Sequence, residues 1–133
     1  MIDALFKDVA ETRGITVRVA VTYLAEESEP ERGRWSWTYH IRIENDSEQT
    51  VQLLTRHWVI TDARGARHSV EGEGVVGEQP MIAPGGSFDY VSWNQLTTPS
   101  GSMQGSYRMI AEDGSVFDVA IPKFALLAPA VTE

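Results

Sequence analysis

The segment "RWSWTYHIRIEN" places Trp35, Trp37, Tyr39, Ile41 and Ile43 at every second position, with Ser36, Thr38, His40, Arg42 and Glu44 between them. Side chains of an extended strand point alternately to opposite faces. This period of two therefore specifies a strand with one apolar face, and it conflicts with the 3.6 period of an amphipathic helix. "ITVRVAVTYL" repeats the pattern: Ile15, Val17, Val19, Val21 and Tyr23 face one way, Thr16, Arg18, Ala20 and Thr22 the other. Strands of this kind need a second layer to cover the apolar face.

The same reading extends along the chain. "TVQLLTRHWVITDARG" is a longer strand whose apolar phase shifts near Leu53 and Leu54, the mark of a bulge or of burial on both faces. "DARG" turns into "ARHSVEG", and "APGG" precedes "SFDYVSW", where Phe88 and Tyr90 share a face. Trp93 falls in the opposite phase, either exposed or covering the second face, and the usual burial of tryptophan favours core or partial cover. "SMQGSYRMI" and "VFDVAIPKF" form a closing hairpin around Asp113-Gly114. Pro122 is expected to end the last strand, because proline cannot donate to a ladder. The predicted fold is all-β: a two-sheet antiparallel β-sandwich of about seven strands. The helical candidate is a weak one, residues 2–10. Residues 13–128 form the single domain, between an N-terminal tail or short helix at 1–12 and a C-terminal tail at 129–133.

Composition narrows the classes of function. A formal charge of −8 and a pI near 4.8 argue against a nucleic-acid partner, since such binding depends on Lys and Arg neutralising phosphates. "LAEESEPERG" carries four glutamates and reads as a solvated loop. No apolar run approaches the roughly 18 residues of a membrane span, so no membrane insertion is expected. The chain has no cysteine, which excludes disulfides and thiolate chemistry. Its N-terminus lacks a basic start and a small-residue cleavage site, and the cytoplasm is the expected compartment.

"VEGEGVVGEQP" contains Gly72, Gly74 and Gly77 in G-x-G-x-x-G spacing. In a dinucleotide-binding unit that spacing opens a helix whose N-terminal amides hold the pyrophosphate. Here Pro80, Pro84, Gly85 and Gly86 follow, no helical period appears, and "VSWNQLTTPSG" lacks the acidic residue that would hold a ribose. Glu71, Glu73 and Glu78 would also repel phosphate. Two readings stay open: glycines that turn the chain at positive φ, and a nest of loop amides for a phosphate-containing small molecule. In the second reading Arg56, Arg64 and Arg67 are the candidates for supporting charge.

No catalytic constellation is legible. There is no G-x-S-x-G elbow, and His40, His57 and His68 form no H-x-H or H-x-x-x-H pair, so neither a catalytic residue, a metal site nor a cofactor is expected. His57, beside Trp58, reads as a structural histidine. His57, Asp62 and His68 are the one set a hairpin turn could gather.

"VQLLTRHWVITDARG", "VEGEGVVGEQPMIAPGGSFDY", "TTPSGSMQGSYRM" and "FDVAIPKFAL", in that order from Val51 to Leu126, resemble the ApaG family. The strands at Ile15 and Trp35 fit its N-terminal half. One position departs: Ser92 is followed by Trp93 where the family usually has Gly. The resemblance implies a fibronectin type III or immunoglobulin-like sandwich in a bacterial cytosolic protein associated with cobalt resistance and magnesium efflux. It also implies a binding module, since the domain occurs in larger eukaryotic proteins, and a nucleotide or pyrophosphate role has been suggested for its glycine motif. It transfers no catalytic residues. The resulting expectation is a non-catalytic interaction module with a protein partner, and a homodimer through an edge strand as a further assembly.

Overall fold

The computed structural model describes residues 6–129. Nine strands run through them: β1 (Asp8–Thr12), β2 (Ile15–Tyr23), β3 (Trp35–Asn45), β4 (Val51–Asp62), β5 (Arg67–Glu73), β6 (Met81–Ile82), β7 (Ser87–Leu96), β8 (Ser100–Ala111) and β9 (Val116–Leu127). All pairings between them are antiparallel. One sheet has the order β1-β2-β3-β7, the other β5-β4-β8-β9, with β6 on β4. A 3-10 turn at Pro30–Arg32 lies in the glutamate-rich loop. Among the described residues no helix is long and apolar enough to cross a membrane.

The strand count is nine rather than seven, and the two additions are β1 and β6. The helix expected over residues 2–10 is corrected where it falls on described residues: Asp8–Thr12 is a strand in register with Ile15–Val19 of β2. Its five residues alternate between partly buried and exposed and carry no apolar stripe, so periodicity could not reveal it. Residues 2–5 lie outside the described residues. Pro122 does not end the last strand. The register of β8 with β9 jumps from Met103↔Phe124 to Gly105↔Ile121, so Pro122 and Lys123 together oppose Gln104 in a bulge. A bulge is where a strand tolerates a residue without a donor.

The alternation in β2 and β3 survives as the core. Ile15, Val17, Val19, Trp37, Ile41 and Ile43 are fully buried between the sheets, against Leu53, Tyr107, Met109 and Phe124 of the other layer. Burial of each large side chain contributes roughly 1.5–3 kcal/mol. Tyr39, Trp58 and Phe124 meet in tilted and edge-to-face contacts, with ring centroids 5.5–5.9 Å apart. Buried Asn45 is fully engaged: its Nδ2 donates to the carbonyls of Gln49 and Ile82, and its Oδ1 accepts from the backbone N–H and hydroxyl of Ser47.

β1 and β9 close one side of the sandwich, where the Ala120 N–H donates to Thr12 Oγ1. On the opposite side the edges β7 and β5 leave the layers open. That open side holds the candidate site.

Candidate functional site

The phase shift at Leu53-Leu54 is a β-bulge: β4 advances from Leu53 to Thr55 while β8 advances only from Met109 to Arg108. Two consequences follow. First, the apolar phase moves, so that Arg56 and Trp58 face between the sheets while Thr55 and His57 face outward. Second, the bulged carbonyl of Leu54 is free to accept the N–H of Gly74 at 2.9 Å and Gln79 Nε2 at 2.9 Å, and the Leu53 N–H reaches the Pro80 carbonyl at 3.0 Å. The glycine segment hangs on the bulge.

Within it, Val75 and Glu78 exchange both backbone hydrogen bonds, at 2.8 and 2.9 Å, around a two-residue turn at Val76-Gly77 with φ of +43° and +80°. Positive φ at both central positions is the turn that matches the twist of a hairpin. Gly77 adopts it freely, whereas a β-branched valine there is strained by about 1–2 kcal/mol. Gly74, at φ +63°, has a different constraint: a Cβ would stand 2.1 Å from the Glu78 carbonyl oxygen. Gly72 has a third. It is not in the left-handed region, but a Cβ would meet the Arg56 guanidinium at 2.8–2.9 Å.

Arg56 Nη1 donates to the carbonyls of Glu73 and Gly74 at 3.0 and 2.8 Å. Its neighbours are carbonyl oxygens, and no carboxylate lies within ion-pair distance among the described residues. Beside it opens a groove of about 480 Å³ between β7 and the glycine hairpin, walled by Tyr39, Trp58, Tyr90, Ser92 and Asn94. The Tyr90 and Tyr107 hydroxyls hydrogen-bond to each other at its inner end. Burial pushes both hydroxyls well above the ordinary tyrosine value, and the Arg56 charge only partly offsets this. Burial also raises Tyr39, against a hydrogen bond from Ser92 and the same Arg56 charge. These hydroxyls therefore stay neutral and act as hydrogen-bonding groups. Asn94 differs from Asn45: its Nδ2 is buried and has no hydrogen-bond partner. An unsatisfied buried donor costs of order 1–3 kcal/mol.

On the outer face of the same strand, Val91 and Trp93 are 56% and 64% exposed. The expectation that Trp93 belongs to the core or covers it is corrected, because its phase in β7 points it away from the second sheet. β7 pairs with β3 alone, and its other backbone edge carries no partner among the described residues. A second, outer cleft of about 490 Å³ lies over β4, β5, β8 and β9, with His57, Glu71, Arg108 and Asp118 on its walls. Arg108 pairs with Asp118 at 3.1 Å, and His57 stands 4.0 Å from Glu71. His57 thus faces outward and half-exposed, not into the core as a structural histidine would.

Of the three arginines considered for the glycine loop, Arg56 reaches it. Arg64 and Arg67 lie exposed at the far end of the β4–β5 hairpin, where Arg67 opposes Thr61. His57, Asp62 and His68 do not gather: His57 opposes Glu71 and His68 opposes Ile60. Among the described residues no set of three His, Asp or Glu side chains is grouped so that it could hold a metal ion. Sequence reasoning missed Asn94 and Ser92. The available signal was their phase, since both share the inward face of β7 with Tyr90.

The family model for the ApaG domain matches residues 25–111. The chain belongs to the ApaG family. It is 53% identical over 118 residues to a Protein ApaG of Rhodospirillum centenum, covering 89% of this chain and 91% of that one. It is 54% identical over 120 residues to a Protein ApaG of Caulobacter vibrioides, with 90% and 86% covered. The crystal structure of a putative ApaA protein from Bordetella pertussis superposes with a TM-score of 0.85 at 40% identity, covering 88% of this chain and 95% of that one. The matched ApaG span contains the Leu54 bulge, the glycine hairpin and β7, so every wall of the inter-sheet groove is built from ApaG-domain residues.

Proposed function

We propose that the chain is a non-catalytic protein-interaction module that receives its partner along β7. The observation that supports this reading is an edge strand of ten residues whose outer backbone groups have no partner among the described residues, with two large apolar side chains, Val91 and Trp93, exposed beside that edge. Natural sheets usually guard such an edge with charge, proline or a bulge, because it is a template for an added strand. β5, the facing edge, carries His68, Glu71 and Glu73, whereas the stretch from Tyr90 to Leu96 carries no charge. In this reading the cobalt resistance and magnesium efflux implied by the family resemblance are exercised through the partner, in the cytoplasm.

The test is capture from a native bacterial lysate with the full chain, beside a Val91→Glu/Trp93→Glu variant. Both positions are exposed, so the variant keeps the fold. Species retained by the wild type and lost by the variant support the reading, and identical retention refutes it. A nucleotide or pyrophosphate at the glycine loop is the second reading, and the position of Arg56 favours it. Against it, the N–H groups of Gly74, Val75 and Glu78 are already engaged within the hairpin. Titration with ATP, diadenosine tetraphosphate and pyrophosphate, following the amide shifts of Gly72 to Gly77, separates the two.

A further inference from the structure

Resting on that reading of β7, we infer that the groove is a specificity pocket for an acidic side chain of an extended polypeptide segment added to the β7 edge. Three features of the same groove converge on this ligand. Asn94 faces between the sheets from the edge strand itself, and its Nδ2 donor is buried without an acceptor. The contrast with Asn45, whose amide is saturated, marks Asn94 as incomplete in the free chain. Arg56 lines the same groove and is held in place by two carbonyls, and among the described residues no carboxylate stands within ion-pair distance of it. Among the described residues, backbone N–H and C=O groups along the outer edge of β7 are open for a ladder. Glu73 also lines the groove and is an exposed residue, so its carboxylate stays solvated.

Strand addition turns this geometry into a sequence pattern. A residue of the added strand opposite Asn94 points between the sheets, and its neighbour opposite Trp93 points outward. The next outward position lies opposite Val91. The recognised segment therefore carries Asp or Glu at one inward position and apolar residues at two outward positions, the first of them adjacent to the acid. Backbone pairing supplies the length of contact, Trp93 and Val91 the apolar cover, and Asn94 with Arg56 the selection. A carboxylate in the groove gives Arg56 a counter-charge, and it gives the Asn94 amide an acceptor once that side chain turns toward the groove. An apolar side chain there leaves both unpaired.

The experiment uses the full chain against a displayed library of random ten-residue peptides. A selected peptide is then synthesised with the acid and with alanine in its place. The expected result is enrichment of the alternating apolar–acid pattern, with about tenfold weaker binding for the alanine peptide. Amide shifts should change along β7 and at Arg56. Asn94→Leu should lose the same tenfold and bind both peptides alike, and Asn94→Asp should disfavour the acidic peptide below the alanine one. Enriched peptides without an acidic position, or Asn94 variants that bind like the wild type, would overturn the pocket while leaving the edge as an interaction surface. Enrichment of nothing, or a concentration-dependent dimer occupying β7 that Trp93→Lys abolishes, would also overturn it. The reading of β7 as an interaction surface is judged separately by the lysate comparison.

Discussion

Gly72 and Arg56 provide the sharpest test of why the glycine segment has its sequence. Arg56 makes two hydrogen bonds to loop carbonyls, one exposed and one partly buried. Taken at about 1 kcal/mol each, toward the low end because water screens them, Arg56→Met should cost about 2 kcal/mol while keeping the packed aliphatic stem. Gly72→Ala introduces a Cβ 2.8–2.9 Å from the guanidinium, which is the flexible end of a side chain and can withdraw. Withdrawal gives up one or both hydrogen bonds, a loss of roughly 1–2 kcal/mol. Replacing glycine in a strand returns about 0.5 kcal/mol. The net cost in the wild type is about 1 kcal/mol. In the Arg56→Met background the obstruction is gone, and the same substitution should stabilise by about 0.5 kcal/mol. Urea unfolding followed by tryptophan fluorescence measures all four corners of the cycle. Equal costs of Gly72→Ala in both backgrounds would refute the claim that Gly72 is glycine because Arg56 lies over it.

Gly74→Ala should be far worse than Gly72→Ala, because its Cβ meets backbone that cannot withdraw and its φ is positive; a loss of about 3 kcal/mol or more by urea unfolding is expected. Val76→Asn, two residues on, should instead raise stability by about 1 kcal/mol, because Asn-Gly suits a turn with positive φ at both positions. The raised values of Tyr39, Tyr90 and Tyr107 mean that the unfolded chain loses these protons first. Their contribution is present below the ordinary tyrosine value near 10 and is lost as pH rises toward the folded values. Tyrosinate absorbance from the three should therefore appear only with unfolding, and a reversible titration in the folded chain with an ordinary midpoint would contradict the burial. Glu44 works in the opposite sense: burial acts to raise it, but hydrogen bonds and charge from Arg18 and Arg42 hold it below the ordinary carboxylate value. Its contribution is present above the ordinary value and lost as pH falls through the folded one, so Glu44→Gln should flatten the acid limb of a stability–pH profile.

The strands with a strong apolar alternation were legible because burial on one face leaves a record at every second residue. β1 left none: its register on β2 is a property of the partner strand, and Val9 is largely exposed. β6 is two residues long and exists because the chain passes β4 on leaving the glycine hairpin. Pro122 continues the strand because its missing donor falls in a bulge, a feature that the local sequence does not mark. The bulge at Leu54 was visible as a phase slip, but its result was not. A slip of one residue exchanges the two faces of everything downstream, and that exchange places Arg56 inside and His57 outside. Asn94 was legible only in phase, since nothing in a sequence says whether a buried amide will find its partner.

The glycine spacing can be explained without any ligand, and this bears on how the groove is read. Gly72 makes room for a guanidinium, Gly74 for a carbonyl, and Gly77 completes a tight turn. Three unrelated local demands thus produce a pattern that elsewhere serves a pyrophosphate. Their shared product is a hairpin pinned to the Leu54 carbonyl and to Arg56, which fixes one wall of the groove at a set distance from β7. A wall built this rigidly is a poor cradle for phosphate, because several of its amides face inward to their own ladder. It suits a slot that must keep constant width along an added strand. A loosened hairpin, as in Gly74→Ala at a temperature where the fold persists, should then weaken peptide binding at β7 without any contact to the peptide having been removed. Unchanged binding in that variant would mean that the hairpin is a bystander to the edge.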